Sequence, residues 1–322
     1  MPDADERTVR TNGVDLHVIE AGTGTPVVLA HGFPELAYSW RHQVPALAAA
    51  GCRVIAPDQR GYGRSSRPEA IEDYDIEHLV GDLLGLLDEL GEEQAIFVGH
   101  DWGSMVVSNL VMLAPERVRG IVNMSVSFLP RAPMPPVQMM RNAFGDSFFY
   151  IVYFQDPGVA DADLAADPAR TMRRLLANLA VAEDATPDPA AFANDGRGFV
   201  DRLPEPDGLP DWLSQGELDH YVDEFSRTGF TGGINWYRNM DRNWTLTERV
   251  AGAKVEVPSL FIGGKLDPVL RMTPPENFLD SLTDHRGTVL VDGAGHWVQQ
   301  EKPEEVNATL VRFVHEVGQK GS

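Results

Sequence analysis

The stretch VGHDWGS, Val98 to Ser104, extends an apolar run that begins at Ala95. A run of this kind, ended by glycine and a polar residue and followed by a helical pattern, reads as a buried strand turning sharply into a helix. The turn has the G-x-nucleophile-x-G form that acyl-transfer enzymes build around a serine, but its centre is Asp101. Gly99 and Gly103 suit such a turn, because the backbones approach so closely that a side chain would obstruct them. A helix N-terminus behind Asp101 favours an ionised carboxylate. A single Asp at a helix start is more often an N-cap, so the reading as a nucleophile depends on its partners.

The same strand–helix alternation extends in both directions. Upstream, Thr8–Gly22 reads as two strands joined at Asn12-Gly13, a hairpin dipeptide. TPVVLAHG (Thr25–Gly32) and CRVIAPD (Cys52–Asp58) read as strands, with a helix between them that stops at Gly51. Asp75–Gly91 is an amphipathic helix with Leu83, Leu84, Leu87 and Leu90 on one side. RGIVNMSV (Arg119–Val126) closes this half as a strand. From Pro130 to about Trp244 the chain turns rich in Met, Pro, Asp and Ala, with helix-like pieces and no buried strand; residues 183–198 and 202–212 read as loops. Strands resume at VPSLFIGG (Val257–Gly264) and GTVLVDGAGH (Gly287–His296), and a helix follows from Pro303. The expected architecture is a mostly parallel α/β sheet covered by helices on both faces. Its core spans 1–129 and 246–322 and is interrupted by a helical insertion over 130–245.

Composition narrows the function. The 322 residues carry 27 Lys and Arg against 48 Asp and Glu, a net −21, which disfavours nucleic acid and anionic membranes as partners. A single cysteine, Cys52, gives no intrachain disulfide, and the charged start MPDADERTVR is unlike a signal peptide. A cytoplasmic protein is the default expectation. No metal-ligand spacing, phosphate loop or dinucleotide fingerprint is present, so no cofactor or metal is implied.

Ligands of open α/β sheets collect at the carboxyl ends of the strands. Four such ends bear polar candidates: His31, Asp101, Asp267 and His296. Taken singly, Asp267-Pro268 is a turn and GAGHW a loop histidine. Together, Asp101, Asp267 and His296 follow the nucleophile–acid–histidine order of α/β-hydrolases. The chain resembles the soluble epoxide hydrolase family of the α/β-hydrolase fold, through HGFPE (His31–Glu35), DQRGYGRSS (Asp58–Ser66), GHDWG, FQDPG (Phe154–Gly158), NWYRNMDRNW (Asn235–Trp244) and GAGHWVQQEKPEEVN (Gly293–Asn307). The resemblance implies that the insertion is a cap, or lid, over the site, and that Phe33–Pro34 is cis.

A carboxylate suits attack on a saturated carbon, leaving an alkyl ester on Asp101. The resemblance supplies the proton donors for the epoxide oxygen, Tyr237 and a second tyrosine that aligns with Tyr150, with Tyr153 the alternative. A phenol, ordinarily titrating near pH 10, is protonated at neutral pH and able to donate. His296, oriented by Asp267, is then the base that activates water against the ester. The backbone N–H groups of Phe33 and Trp102 are the implied oxyanion donors. Phe33, Trp102, Tyr153 and Trp297 are expected to line an apolar pocket for a small apolar epoxide. The oligomeric state, including a homo-oligomer, stays open. A haloalkane-type dehalogenase would use the same Asp, His and Asp. Phe33 stands where haloalkane dehalogenases typically place Asn, and Trp102 where fluoroacetate dehalogenases place Arg. A non-catalytic ligand-binding member of the fold would be expected to lack one of these positions, and none is missing.

Overall fold

The computed structural model describes residues 4–180 and 189–318. Eight strands form one sheet: β1 (Asp5–Thr11), β2 (Val14–Ala21), β3 (Thr25–Ala30), β4 (Cys52–Pro57), β5 (Ala95–His100), β6 (Val118–Met124), β7 (Ser259–Gly264) and β8 (His285–Val291). Their order is β1-β2-β4-β3-β5-β6-β7-β8. The β1/β2 hairpin pairs antiparallel, as does β2/β4, and every later pairing is parallel.

Continuous apolar runs become strands here because both faces of the sheet are covered, so residues pointing either way are buried. Four helices do the covering: α1 (Gln43–Ala49), α2 (Ile76–Leu90), α3 (Trp102–Leu113) and, at the end of the chain, the helix Pro303–Gly318. Ile96 and Val98 of β5 face one side with Val122, Ile262 and the α1 residues Val44 and Leu47; Leu310, Phe313 and Val314 of the last helix complete that layer. Phe97 faces the other side with Val28, Ile55 and Ile121, against Leu83, Leu87, Val107 and Leu110 of α2 and α3. Each such buried side chain stabilises by roughly 1.5–3 kcal/mol, so the strands around β5 are the rigid part of the molecule.

The α2 stripe differs from the expected one. Ile76, Leu79, Val80, Leu83, Leu86 and Leu87 are buried, whereas Leu84 and Leu90 are only partly covered at its flank. Asp75 caps the helix by accepting from the His78 N–H, and Gly91 ends it at φ 73°.

Between β6 and β7 the chain is helical: α4 (Pro136–Phe144), α5 (Tyr150–Tyr153), α6 (Val159–Ala165), α7 (Pro168–Ala177), α8 (Phe199–Arg202), α9 (Gln215–Thr228), α10 (Thr231–Arg238) and α11 (Met240–Leu246). Of the loop expected over 183–198, residues 183–188 lie outside the described part, and Pro189–Phe192 forms a short 3-10 turn. Where this segment leaves and rejoins the sheet it is tied to itself. The Arg131 guanidinium stacks 3.6 Å from the Trp244 ring, and the Trp244 indole N–H donates to the Ala132 carbonyl at 2.7 Å. Its last helices are fastened to the core. The Trp236 indole donates to the Arg60 carbonyl at 3.1 Å, the Asn239 amide to Ile71 at 2.6 Å, and Arg242 pairs with Asp75 at 2.8 Å. These bonds hold α10 across the carboxyl ends of the strands. After β7 come α12 (Pro268–Met272), α13 (Val298–Glu301) and α14, the terminal helix Pro303–Gly318. Among the described residues, no helix is long and apolar enough to cross a membrane.

Candidate active site

Asp101 ends β5 at φ 51°, a left-handed conformation that is uncommon for a residue other than glycine. The turn is packed too tightly for alternatives: a Cβ on Gly99 would lie 2.3 Å from the Gly103 carbonyl oxygen, and one on Gly103 would lie 2.0 Å from that of Ala30. Asp101 holds the N-cap position of α3, but its side chain accepts no N–H of that helix. Its Oδ1 instead accepts the Phe33 N–H at 2.8 Å, across from the β3 loop where Phe33–Pro34 is cis. Oδ2 lies 3.6 Å from His296 Nε2, and the Asp101 side chain is 15% exposed.

Asp267 follows β7 and divides its two oxygens. Oδ1 caps α12 by accepting from the Val269 N–H at 2.8 Å, and Oδ2 faces His296 Nδ1 at 3.0 Å. A carboxylate accepts only, so Nδ1 carries the proton on that side and Nε2 is aimed at Asp101. Burial resists a charged His296, but the charges and hydrogen bonds of Asp267 and Asp101 outweigh it and raise the imidazole well above its ordinary pKa.

Above this trio sit two phenols. Tyr237, on α10, packs edge-on against Phe33, Trp102, Phe154 and Tyr150, with ring centroids 5.0–6.0 Å apart. Tyr150, the first residue of α5, also packs on Phe154 and Phe199. Burial, then the Asp101 charge, pushes both phenols above 10, so both remain protonated at neutral pH.

Two residues expected to line the pocket make other contacts. Tyr153 turns away: its hydroxyl donates to Asp163 at 3.2 Å and its ring packs on Phe148. Burial and the Asp163 charge push its phenol up to about 12. Positions three apart lie only about 60° apart around a helix, so the two tyrosines are distinguished by what packs around each of them and not by helix geometry. Trp297 is only 1% exposed, with its ring 4.8 Å from that of His296 and 5.7 Å from that of His100. Its ring packs against the base. Phe33 and Trp102 do stand beside Asp101 and Tyr237.

Sequence reasoning passed over a buried network behind the trio. His100, fully buried, donates from Nδ1 to Glu35 Oε2 at 2.6 Å and from Nε2 to the His296 carbonyl at 2.8 Å. Glu35 also accepts from the Gly32 N–H and from the side-chain amides of Gln299 and Gln300. Burial would raise its pKa, yet the charge and hydrogen bond of His100 and the Gly32 N–H hold it down at about 2. Glu35 and His100 both fall inside motifs read from the sequence, HGFPE and GHDWG, and their signal was adjacency to the loop and the turn. His31 is structural. Its Nδ1 donates to the Gly32 carbonyl, its Nε2 accepts the Gln59 N–H at 3.0 Å, and burial keeps it neutral. Among the described residues, no group of three or more His, Cys, Asp or Glu is arranged to hold a metal ion.

A strand-end carboxylate bonded to a loop amide, a His–Asp pair and two phenols overhead form a hydrolytic arrangement. Residues 25–303 match the family model of the alpha/beta hydrolase fold. The chain is 59% identical over 311 residues to epoxide hydrolase A of Mycobacterium tuberculosis, covering 96% of this chain and 97% of that one. It superposes on the crystal structure of epoxide hydrolase A from Mycobacterium thermoresistibile with a TM-score of 0.93 at 57% identity, covering 97% and 98% of the two chains. An epoxide hydrolase from an endophytic Streptomyces gives the same TM-score at 40% identity, covering 98% and 97%. Fold, site and likeness agree, and the chain belongs to the epoxide hydrolases, enzymes of the α/β-hydrolase fold that act on ether bonds.

Proposed function

We propose that the protein converts a small apolar epoxide and water into a vicinal diol through an ester on Asp101. One observation carries this reading: the Asp101 carboxylate stands between the Phe33 N–H and His296 Nε2, beneath Tyr237 and Tyr150. Oδ1 is held by the amide, which leaves Oδ2 to attack an epoxide carbon. The carbon–oxygen bond breaks as the new ester bond forms, and the developing alkoxide takes its hydrogen bonds, then its proton, from the phenols. Water then loses a proton to His296 Nε2, and the hydroxide adds to Cγ of Asp101. The oxyanion that results is the former Oδ1, already beside the Phe33 N–H, with the Trp102 N–H as second donor. Collapse expels the ester oxygen, which takes the proton from His296 and leaves as the diol, and the proton of the new carboxyl group returns to the phenolate, so carboxylate, base and phenol are all restored.

In this reading residues 130–245 are the cap and carry the phenols. The net charge of −21 supports an enzyme that meets uncharged substrates, not nucleic acid. A paired assay tests the reaction class: aryl and alkyl epoxides scored for diol, bromo- and chloroalkanes for halide. Diol without halide is expected. Halide without diol would move the protein to dehalogenation and leave the phenols unexplained.

The surroundings of the two candidate phenols separate their roles. Tyr150→Phe is expected to slow diol formation by roughly 10²-fold, and Tyr153→Phe by less than about 3-fold, because only the first lies by Tyr237 and the Asp101 charge. Steady-state assays of the two variants check this, and the reverse ranking would sink the assignment of Tyr150.

Ester formation itself prepares the base. Free Asp101 and Asp267 both raise the His296 pKa, and alkylation removes one of those charges. His296 therefore loses its proton more readily in the ester than in the free enzyme. The rate of ester hydrolysis should rise with pH through an apparent pKa lower than that of His296 in the free protein. Single-turnover kinetics across pH, set against the imidazole titration followed by NMR, make the comparison; equal values would count against a neutralised Asp101.

A further inference from the structure

The loop that carries His296 is pinned by an unusual set of bonds. Glu301, the last residue of α13, reaches back so that Oε2 accepts the Gly295 N–H at 2.7 Å and Oε1 accepts the Trp297 N–H at 2.9 Å. Its two oxygens thus take the amides on either side of His296. The His296 N–H itself donates to the Leu179 carbonyl at 2.8 Å. On the far side, the His296 carbonyl accepts from Ser125 Oγ at 2.7 Å and from His100 Nε2 at 2.8 Å.

Ordinary helix capping accounts for only half of this. In a capping box, a Glu at the third helical position bonds the N–H of the N-cap residue; Glu301 stands one position further on and bonds that of Trp297, the N-cap. The second bond goes to Gly295, outside the helix and beyond the histidine. Burial outweighs those two bonds and raises the Glu301 carboxyl, so it occupies a place where a carboxylate is costly without a compensating task.

We propose that Glu301 is a positioning residue for His296, bracketing the peptide units on both sides so that the imidazole meets the ester at a fixed distance and angle. It touches no reacting atom. The inference rests on the reading of His296 as the base of ester hydrolysis. Alkylation by Asp101 does not call on His296 to take a proton, whereas hydrolysis does. Loosening the bracket therefore slows the second half-reaction and spares the first.

The test is rapid-quench intact-mass analysis of Glu301→Gln and Glu301→Ala with styrene oxide, beside the parent enzyme and His296→Gln. In Glu301→Ala, ester hydrolysis is expected to fall roughly 10- to 100-fold, the scale of an ångström-level misplacement, with alkylation changed less than about 3-fold. Ester accumulates, and kcat and KM fall together. Glu301→Gln, nearly isosteric and still offering one oxygen, is expected in between and keeps the test available if the alanine variant folds poorly. Unchanged hydrolysis, or two half-reactions slowed in parallel with a lowered melting temperature, would reduce Glu301 to a helix cap. A His296→Gln protein that collects no ester would instead fault the base assignment, and with it this inference.

Discussion

Asp101→Ala is expected to lower kcat for diol formation by roughly 10⁴-fold or more, the scale seen when a covalent nucleophile is removed. The loss should not come from misfolding. Alanine meets the same φ of 51° that aspartate already adopts, and the strands beneath are fully buried. The interactions lost are the Phe33 N–H bond to Oδ1 and the ion pair with His296, and an unpaired buried amide costs about 1–3 kcal/mol. Asp101→Asn separates the two effects, since its amide oxygen still accepts the Phe33 N–H but neither amide atom is a competent nucleophile. Both variants are therefore expected to be inactive, with the asparagine protein melting closer to the parent. Chromatographic diol assays and thermal unfolding read the two quantities independently. Residual turnover above about 1% in the asparagine variant, under conditions that exclude its deamidation, would mean that Asp101 is not the attacking group.

How much of this was legible beforehand depends on the range of the interaction concerned. The central strands β3, β4, β5 and β7 were readable because each is a short apolar run that ends at or near glycine or proline, and burial on both faces leaves no polar alternation to confuse the pattern. The α2 stripe was misjudged by a few residues, because which leucines are covered is decided by the β1 and α3 packing partners, not by the helix alone. Asp101, Asp267 and His296 could be found since each follows a recognisable strand and their order is fixed along the chain. Tyr150 and Tyr153 could not be separated by spacing, because the choice is made by Asp163 and Phe148 on one side and by Tyr237 on the other. Trp297 shows the same limit, since an indole after the histidine suits a pocket or a wall equally well until its burial is known. The Glu35–His100 pair joins residues 65 apart through a bond that neither local sequence specifies.

That buried pair also sets what a change at His296 can and cannot disturb. The His296 carbonyl and N–H are held by His100, Ser125 and Leu179 through the backbone, so replacing the side chain leaves those anchors in place. His296→Gln is therefore expected to retain the fold, the Asp101 carboxylate, the Phe33 amide and both phenols, and with them alkylation. What it removes is the nitrogen that takes a proton from water, and turnover should drop roughly 10²- to 10⁴-fold. Mixed with excess epoxide, the variant should gain the mass of one substrate molecule, located on the peptide that contains Asp101. Oxygen labelling gives a second reading on the unmodified enzyme. In a single turnover in heavy-oxygen water, the oxygen added to the diol comes from Asp101 Oδ2, so the diol is unlabelled and the label enters the carboxylate. A labelled diol from the first turnover, or an inactive His296→Gln protein with no adduct, would show that water attacks the epoxide carbon directly. The close approach of Asp101 to His296 would then serve to activate that water, and not to form an ester.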